Sequence, residues 1–369
     1  MKAVAFGGAA LALCSIVSQA HGASGSGVTL YGVMDAGLTY VSNSGGSHNL
    51  KFDDGIQSPN MLGIRGVEEL GGGTHVEFDL VNQFAVGTGA IQPPTKGIFG
   101  RNAWIGISNE RFGTVRFGNQ YDFMIDALFF GRTDAALTVG GIYNFRAGPF
   151  QKIALPYNPP YASQFDWDRM SGQSVSNSVK YQSPSFAGLS FGALYGIGGV
   201  PGALGSGNTV SAGLNYESGS FGMGAAYTEV KYLQAGMPQV GIRNWGVGMR
   251  YDFGSLGVNA LITTVRNTAN GGAIAQGQIG LAYTLTPQWR TGIDYMYMKG
   301  NGYLDNNHAH QISALLAYSF SKRTMVYTEM VYQRTNANAQ ALVSGVIEPN
   351  GTSSGPSQML TRVGVLTRF

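Results

Sequence analysis

The last twelve residues, Gln358-Met359-Leu360-Thr361-Arg362-Val363-Gly364-Val365-Leu366-Thr367-Arg368-Phe369, alternate with a period of two. Met359, Thr361, Val363, Val365, Thr367 and Phe369 share one face of an extended chain, and Arg362 and Arg368 fall on the other. Successive side chains of a strand point to opposite sides. The segment therefore predicts a strand with one face for an apolar medium and one for water, ending on an aromatic ring. Such a strand cannot be left with an open edge in hydrocarbon, because its N–H and C=O groups would lack partners. It predicts closure against another strand.

The same pattern recurs upstream. Across residues 28–40, Val28, Leu30, Met34, Ala36, Leu38 and Tyr40 share a face with Gly32, while Thr29, Asp35 and Thr39 lie on the other. Leu189, Phe191, Ala193 and Tyr195 form another such face, as do Trp245, Val247, Met249, Tyr251 and Phe253. Period two rather than 3.6 predicts strands throughout. Ile105, Ile107 and Leu315 break the pattern and are expected to point inward. Alternation alone also fits a soluble sandwich. The connections decide between them: short turns near residues 69–72, 109–113, 184–188, 217–220, 252–255, 285–288 and 320–323 alternate with longer polar segments such as 42–57, 86–97 and 336–356. That sorting puts turns on one side of a membrane and loops on the other. The predicted class is all-β, a transmembrane antiparallel β-barrel of about sixteen strands, a size that encloses an aqueous channel. The longest connection, about residues 121–173, is too long and too apolar for free coil (Phe123, Met124, Ile125, Leu128, Phe129, Phe130), so it is expected to fold into the lumen.

Composition agrees. Only 12% of residues are charged, against about a quarter in ordinary soluble domains. Mean hydropathy is −0.01, and past the first twenty residues no apolar run of about 18 could serve as a spanning helix. The 56 glycines suit tight turns and small lumen positions. Residues 1–20 read as a signal peptide, with Lys2, an apolar stretch from Ala3 to Val17, and cleavage after Ala20 or Ala23. The barrel is expected to occupy 21–369 as one domain. Cys14 falls in the leader, so the mature chain would hold no thiol and no disulfide. Loss of Lys2 takes the net charge from +3 to about +2, too small to imply a nucleic-acid partner.

A lipid-facing Arg or Lys costs roughly 2–4 kcal/mol at the membrane midplane, so strand charges should face the lumen. The inward set is Asp35, Arg65, Glu77, Asp79, Arg101, Arg116, Lys180, Arg250, Arg290, Asp294, Glu329 and Arg362. Chemistry-bearing motifs are absent. His308-Ala309-His310 lies in what reads as a Gly/Asn-rich loop, Gly71-Gly72-Gly73 leads into Thr74-His75 rather than a phosphate-loop lysine, and Asp166-Trp167-Asp168 reads as a solvated loop tip. No enzyme, metal or cofactor is expected.

Five internal stretches carry a resemblance: Val28-Thr29-Leu30-Tyr31-Gly32-Val33-Met34-Asp35-Ala36-Gly37, Leu62-Gly63-Ile64-Arg65-Gly66-Val67-Glu68-Glu69-Leu70-Gly71, Phe99-Gly100-Arg101-Asn102-Ala103-Trp104-Ile105-Gly106, residues 112–122, and Asn177-Ser178-Val179-Lys180-Tyr181-Gln182-Ser183-Pro184. With the Phe369 tail they resemble, in order and across nearly the whole mature chain, the general porins of Gram-negative outer membranes, beta-proteobacterial type. The resemblance implies a sixteen-stranded, usually trimeric barrel with its third loop folded in as an eyelet. It also implies passive passage of small hydrophilic solutes and ions, contact with outer-membrane lipid and lipopolysaccharide, and export read by the barrel assembly machinery from Phe369. Arg101 and Arg65 match family wall bases. Another wall arginine expected before Asn177 is replaced by Ser174-Val175-Ser176, leaving Lys180 and Arg169 nearest, and Asp134 stands as the acidic loop candidate. The expected pore set is thus Arg65, Arg101, Arg116, Lys180, Asp134, Glu77, Asp79 and Asp35, leaning basic and modestly anion-selective. The alternative is a solute-selective channel with a binding track. Apolar faces such as Leu30, Met34, Val363 and Val365 are expected to meet other subunits of a homotrimer.

Overall fold

The computed structural model describes residues 26–92, 97–144, 148–154, 174–233, 239–343 and 351–369. The expected signal peptide with both cleavage points, Arg169 and residues 166–168 lie outside the described residues. Seventeen strands follow one another: β1 (Gly27–Ser44), β2 (Ser47–Asp54), β3 (Met61–Gly71), β4 (Thr74–Gln83), β5 (Asn102–Asn109), β6 (Gly113–Tyr121), β7 (Ser174–Gln182), β8 (Leu189–Gly196) and β9 (Thr209–Ser218). They continue as β10 (Phe221–Tyr232), β11 (Val240–Phe253), β12 (Leu256–Asn267), β13 (Ala273–Thr284), β14 (Trp289–Gly300), β15 (His308–Ser319), β16 (Thr324–Thr335) and β17 (Ser357–Arg368). From β3 onward each pairs antiparallel with the next, and β17 returns to β1. The long β1 pairs through Gly27–Val33 with β3 and through Ala36–Ser44 with β2. β2 and β3 are therefore one stave interrupted at residues 55–60, and the wall has sixteen staves.

Closure is sealed at the chain end. Gly32 N–H donates to the Phe369 carbonyl at 3.0 Å, and Phe369 N–H donates back at 3.1 Å. The Phe369 ring lies over Gly32, where a Cβ would come within 2.4 Å of it. Only glycine fits there.

Outside, the apolar faces read from the sequence are exposed, for example Leu30, Leu38, Val247, Leu281 and Val363. Inside, Val33, Asp35 and Thr39 of β1 are buried. Leu315 does point inward, beneath Val139 of the long loop. Ile105 and Ile107, expected inward, instead lie on the exposed outer face. Arg101 shares their odd parity but precedes β5 and so is not bound by its alternation; Asn102, Trp104 and Gly106 take the lumen side. Two further expectations change. Residues 42–57 are not a long loop: β1 and β2 meet in a tight hairpin at Gly45-Gly46, both at positive φ as a two-residue turn of this hand requires. His308-Ala309-His310 is not loop but the start of β15.

After Tyr121 the chain turns inward. A π-helical turn (Met124–Phe129), α1 (Ala135–Gly140) and two 3-10 turns (Gly141–Asn144, Gly148–Ile153) lie against the inner faces of β9 to β16. Apolar contacts hold them. Phe123, Met124 and Leu128 pack on Leu194, Ala226 and Leu261, Leu137 and Ile142 on Ile56, Val331 and Leu360, and Phe150 and Ile153 on Met296 and Met298. Each fully buried side chain contributes roughly 1.5–3 kcal/mol. Glycine in the wall makes room: a Cβ at Gly224 would sit 2.2 Å from the Ala127 carbonyl oxygen.

Candidate functional site

Because the loop covers β9 to β16, the wall of β3 to β6 is left facing the channel. Strand register arranges its charges. Arg65 on β3 stands opposite Asp79 on β4, which stands opposite Trp104 on β5. One rung away, Glu77 faces Gly106, and Gly106 faces Arg116 on β6. The acidic β4 thus lies between Arg65 on β3 and, across Gly106 of β5, Arg116 on β6. Arg116 Nη2 lies 3.0 Å from Glu77 Oε1, and Arg65 Nε lies 3.7 Å from Asp79 Oδ1, which also accepts from the Tyr31 hydroxyl at 2.6 Å. Gly106 is required for this contact, since a Cβ there would come within 2.8 Å of the Arg116 side chain.

Each guanidinium also lies over a ring: Arg65 over Tyr31 at 5.2 Å, Arg116 over Trp104 at 4.3 Å and Arg101 over Tyr121 at 5.3 Å. The ring's negative face holds the cation while its rim stays open to water. Arg101 differs from the other two. It donates through Nε to the Tyr121 hydroxyl and through Nη1 to the Gln83 side-chain oxygen, both neutral. Among the described residues it has no carboxylate partner. Phe130 packs edge-on against Tyr121 at 5.8 Å and next to Phe129 at 5.2 Å, so the loop opposes Arg101 with aromatic surface.

The remaining expected pore residues do not meet at this gap. Lys180 is 3% exposed; its ammonium donates to the Asp126 carboxylate and to the Tyr121 carbonyl at 2.8 Å, pinning the root of the loop. Asp134 is fully buried and caps α1, accepting from Leu137 N–H at 3.1 Å and from Gln278 at 2.9 Å. Asp35 lies at the centre of a clasp. It accepts from the backbone N–H of Gln57 and Ser58 in the interrupted stave, from the Tyr327 hydroxyl at 2.7 Å and from Arg362 Nη2 at 3.2 Å. Tyr143 of the loop joins the clasp through Thr39 and Asp53. Burial, and then the Asp53 carboxylate, push its phenol up, so it stays protonated and donates. Strand parity correctly puts Lys180 and Asp35 on the inner face. The loop then covers them, because its polar backbone needs buried anchors of its own.

Among the described residues, no cluster of three or more His, Cys, Asp or Glu side chains could hold a metal ion. The sequence profile of the Gram-negative porins matches residues 7–338. The chain belongs to the Gram-negative porin family. Outer membrane porin protein 32 of Delftia acidovorans is 23% identical over 370 residues, covering 97% of this chain and 99% of that one. An outer membrane porin of Bordetella pertussis is 26% identical over 254 residues, 61% of this chain and 60% of that protein. Among solved structures, the anion-selective porin from Comamonas acidovorans superposes with a TM-score of 0.74 at 21% identity, over 93% of this chain and all of that one. The trimeric form of Vibrio cholerae OmpT superposes with a TM-score of 0.63 at 13% identity, over 94% and 100%. These structures share the fold.

The porin is an outer-membrane channel, and its family points to transport rather than catalysis. The residues that sequence reasoning missed in this porin are the aromatics under the bases: Tyr31, Trp104, Tyr121 and, from the loop, Phe130. A signal existed for Tyr31, which shares the odd-numbered face of β1 with Asp35. Trp104 has the opposite parity to Ile105, so expecting Ile105 inward hid it.

Proposed function

We propose that this porin is a passive, water-filled pore for small hydrophilic solutes and ions with a modest preference for anions, its narrowest part lined by Arg65, Arg101, Arg116, Glu77 and Asp79 and bounded by the inward loop. The observation that carries the reading is the charge balance of the open wall. Arg65 and Arg116 each have a carboxylate, and Arg101 is held only by neutral groups. An anion and a cation passing about 5 Å from one unmatched guanidinium in water differ by roughly 1 kcal/mol at ~0.1 M salt, about a fivefold bias. The similarity to a porin described as anion-selective supports the same sign. The test is the reversal potential of the reconstituted channel in a dilute KCl gradient. The wild type should favour chloride and Arg101→Ala should move toward potassium. A cation-selective wild type, or an unmoved potential in the variant, overturns the assignment.

The three stacked arginines also favour a second reading, a track that binds an anionic solute weakly. Conductance saturating with one class of carboxylate, rather than rising linearly, would select it. The mature porin is further proposed to begin after Ala20 or Ala23, to be assembled by the machinery that reads Phe369, and to form a homotrimer through the outer faces carrying Leu30, Met34, Val363 and Val365. A trimeric form of a similar fold supports the last of these.

A further inference from the structure

Two rings of the inward loop are left over once its anchoring is accounted for. The side chains that seat the loop are shielded almost completely, with Phe123 only 2% exposed and Tyr143 and Phe150 fully buried. Phe129 and Phe130 stay half-buried. They close the π-helical turn, on the side of the loop that opposes Arg101. Phe129 touches the packed cluster around Ile56, and its ring lies 5.2 Å from that of Phe130. Aromatic surface left in water is unfavourable, so two adjoining rings in an aqueous gap call for something to cover them.

The base across the gap is equally incomplete. Arg101 uses Nε on the Tyr121 hydroxyl and Nη1 on the Gln83 side-chain oxygen, which leaves the N–H groups of Nη2 without a partner among the described residues. The Tyr121 hydroxyl accepts from Arg101, and its own proton has no acceptor among the described residues. An N–H and an O–H donor therefore stand side by side. Arg65 and Arg116 offer no such place, because Asp79 and Glu77 lie 3.7 and 3.0 Å from them and would repel a further carboxylate. Phe130 meets the same Tyr121 ring edge-on at 5.8 Å. The donor pair and the uncovered aromatic surface thus adjoin.

From this juxtaposition we infer that the gap between Arg101 and the loop is a binding site for aromatic monocarboxylates, solutes of the benzoate class. The carboxylate accepts from Arg101 Nη2 and the Tyr121 hydroxyl, contacts strengthened by its charge. The ring lies offset or edge-on against Phe130 and Phe129. One acid group suffices, because one base on this wall is unmatched. The inference rests on the anion-preferring channel proposed above and adds the class of solute.

The test uses the full-length porin in planar bilayers at neutral pH and fixed ionic strength. It reads the concentration of sodium benzoate that halves the KCl current, against sodium acetate, which lacks the ring, and benzyl alcohol, which lacks the charge. An aromatic contact is worth roughly a factor of three, so two rings should make benzoate about tenfold more effective than acetate. Benzyl alcohol should have no effect at the same concentration. Phe130→Leu and Phe129→Leu, made separately, should each reduce the benzoate-to-acetate ratio about threefold. Arg101→Gln should weaken both acids about tenfold. Phe117→Leu, on the outer face, should change neither. Equal effect of benzoate and acetate on the wild type, an unchanged ratio in both phenylalanine variants, or benzyl alcohol as effective as benzoate would each overturn the site. The reversal potential in a KCl gradient separates the two readings: a chloride-selective wild type with no benzoate preference sinks only this site, and a cation-selective one sinks the anion reading and the site with it.

Discussion

Removing Arg362 should do more damage than removing any base on the open wall. Its side chain and that of Asp35 are both completely shielded from solvent. Four of the five guanidinium N–H groups are used: Nε to the Tyr327 hydroxyl at 2.8 Å, Nη1 to the Asp53 carbonyl at 3.0 Å and to Thr39 Oγ1 at 3.3 Å, and Nη2 to Asp35 at 3.2 Å. Arg362→Met keeps much of the volume but leaves Asp35 charged and buried, with Glu329 at the facing register position on β16. Breaking a buried pair on one side costs about 3–5 kcal/mol, most of it the stranded charge. The loss should appear as a lower urea midpoint, with little change in slope, for the folded porin in lipid vesicles, followed by tryptophan fluorescence. Adding Asp35→Asn removes that charge while keeping an acceptor for Gln57 and Ser58, and should recover about 2 kcal/mol, because contacting residues couple. Arg362→Met within about 1 kcal/mol of wild type, or additive effects of the two changes, would refute the reasoning.

Tyr143→Phe keeps the ring but deletes the hydroxyl that bonds Thr39 and Asp53; we expect a loss of about 1–3 kcal/mol and noisier single-channel currents, and a quiet channel of unchanged stability would count against the clasp. Deleting Phe369 removes both backbone bonds to Gly32 and should leave the chain protease-sensitive and short of the outer membrane; normal yield of surface barrel would dismiss the closing role. Unheated protein in mild detergent should scatter as a trimer, and a monomer under those conditions rules out the subunit contact at Leu30, Met34, Val363 and Val365.

Much of the wall was legible because parity is a local property. Asp35 and Thr39 lie inside and Leu30 and Leu38 outside for no reason beyond the two-residue repeat and the cost of charge in hydrocarbon. Parity fails where the chain leaves the strand. Arg101 reaches the lumen from a bend before β5, so its side does not carry over to Ile105 and Ile107, which face outward. The candidate site was legible in residue type and side of the wall, and only partly in role. Whether an inward base meets water or the underside of a loop depends on contacts such as Lys180 with Asp126 and Asp134 with Gln278, 144 residues away in sequence. No local pattern encodes a contact over that separation. The stacking of each arginine on a ring is likewise set between strands, by register.

The interrupted second stave carries a consequence for assembly. The excursion at residues 55–60 gives up wall pairing so that Gln57 and Ser58 can reach Asp35. Asp35 in turn depends on Tyr327 and Arg362, 292 and 327 residues further along the chain. The guanidinium that neutralises the buried Asp35 therefore comes from β17, the strand that closes the barrel against β1. In a sheet that has not yet closed, Asp53 keeps Lys51 of its own strand at 3.3 Å, but Asp35 lacks its guanidinium and the docking ground for Tyr143 is incomplete. Firm seating of the loop is thus expected to follow the meeting of β1 and β17. Limited proteolysis should therefore cut the loop faster in an unclosed barrel than in the closed one.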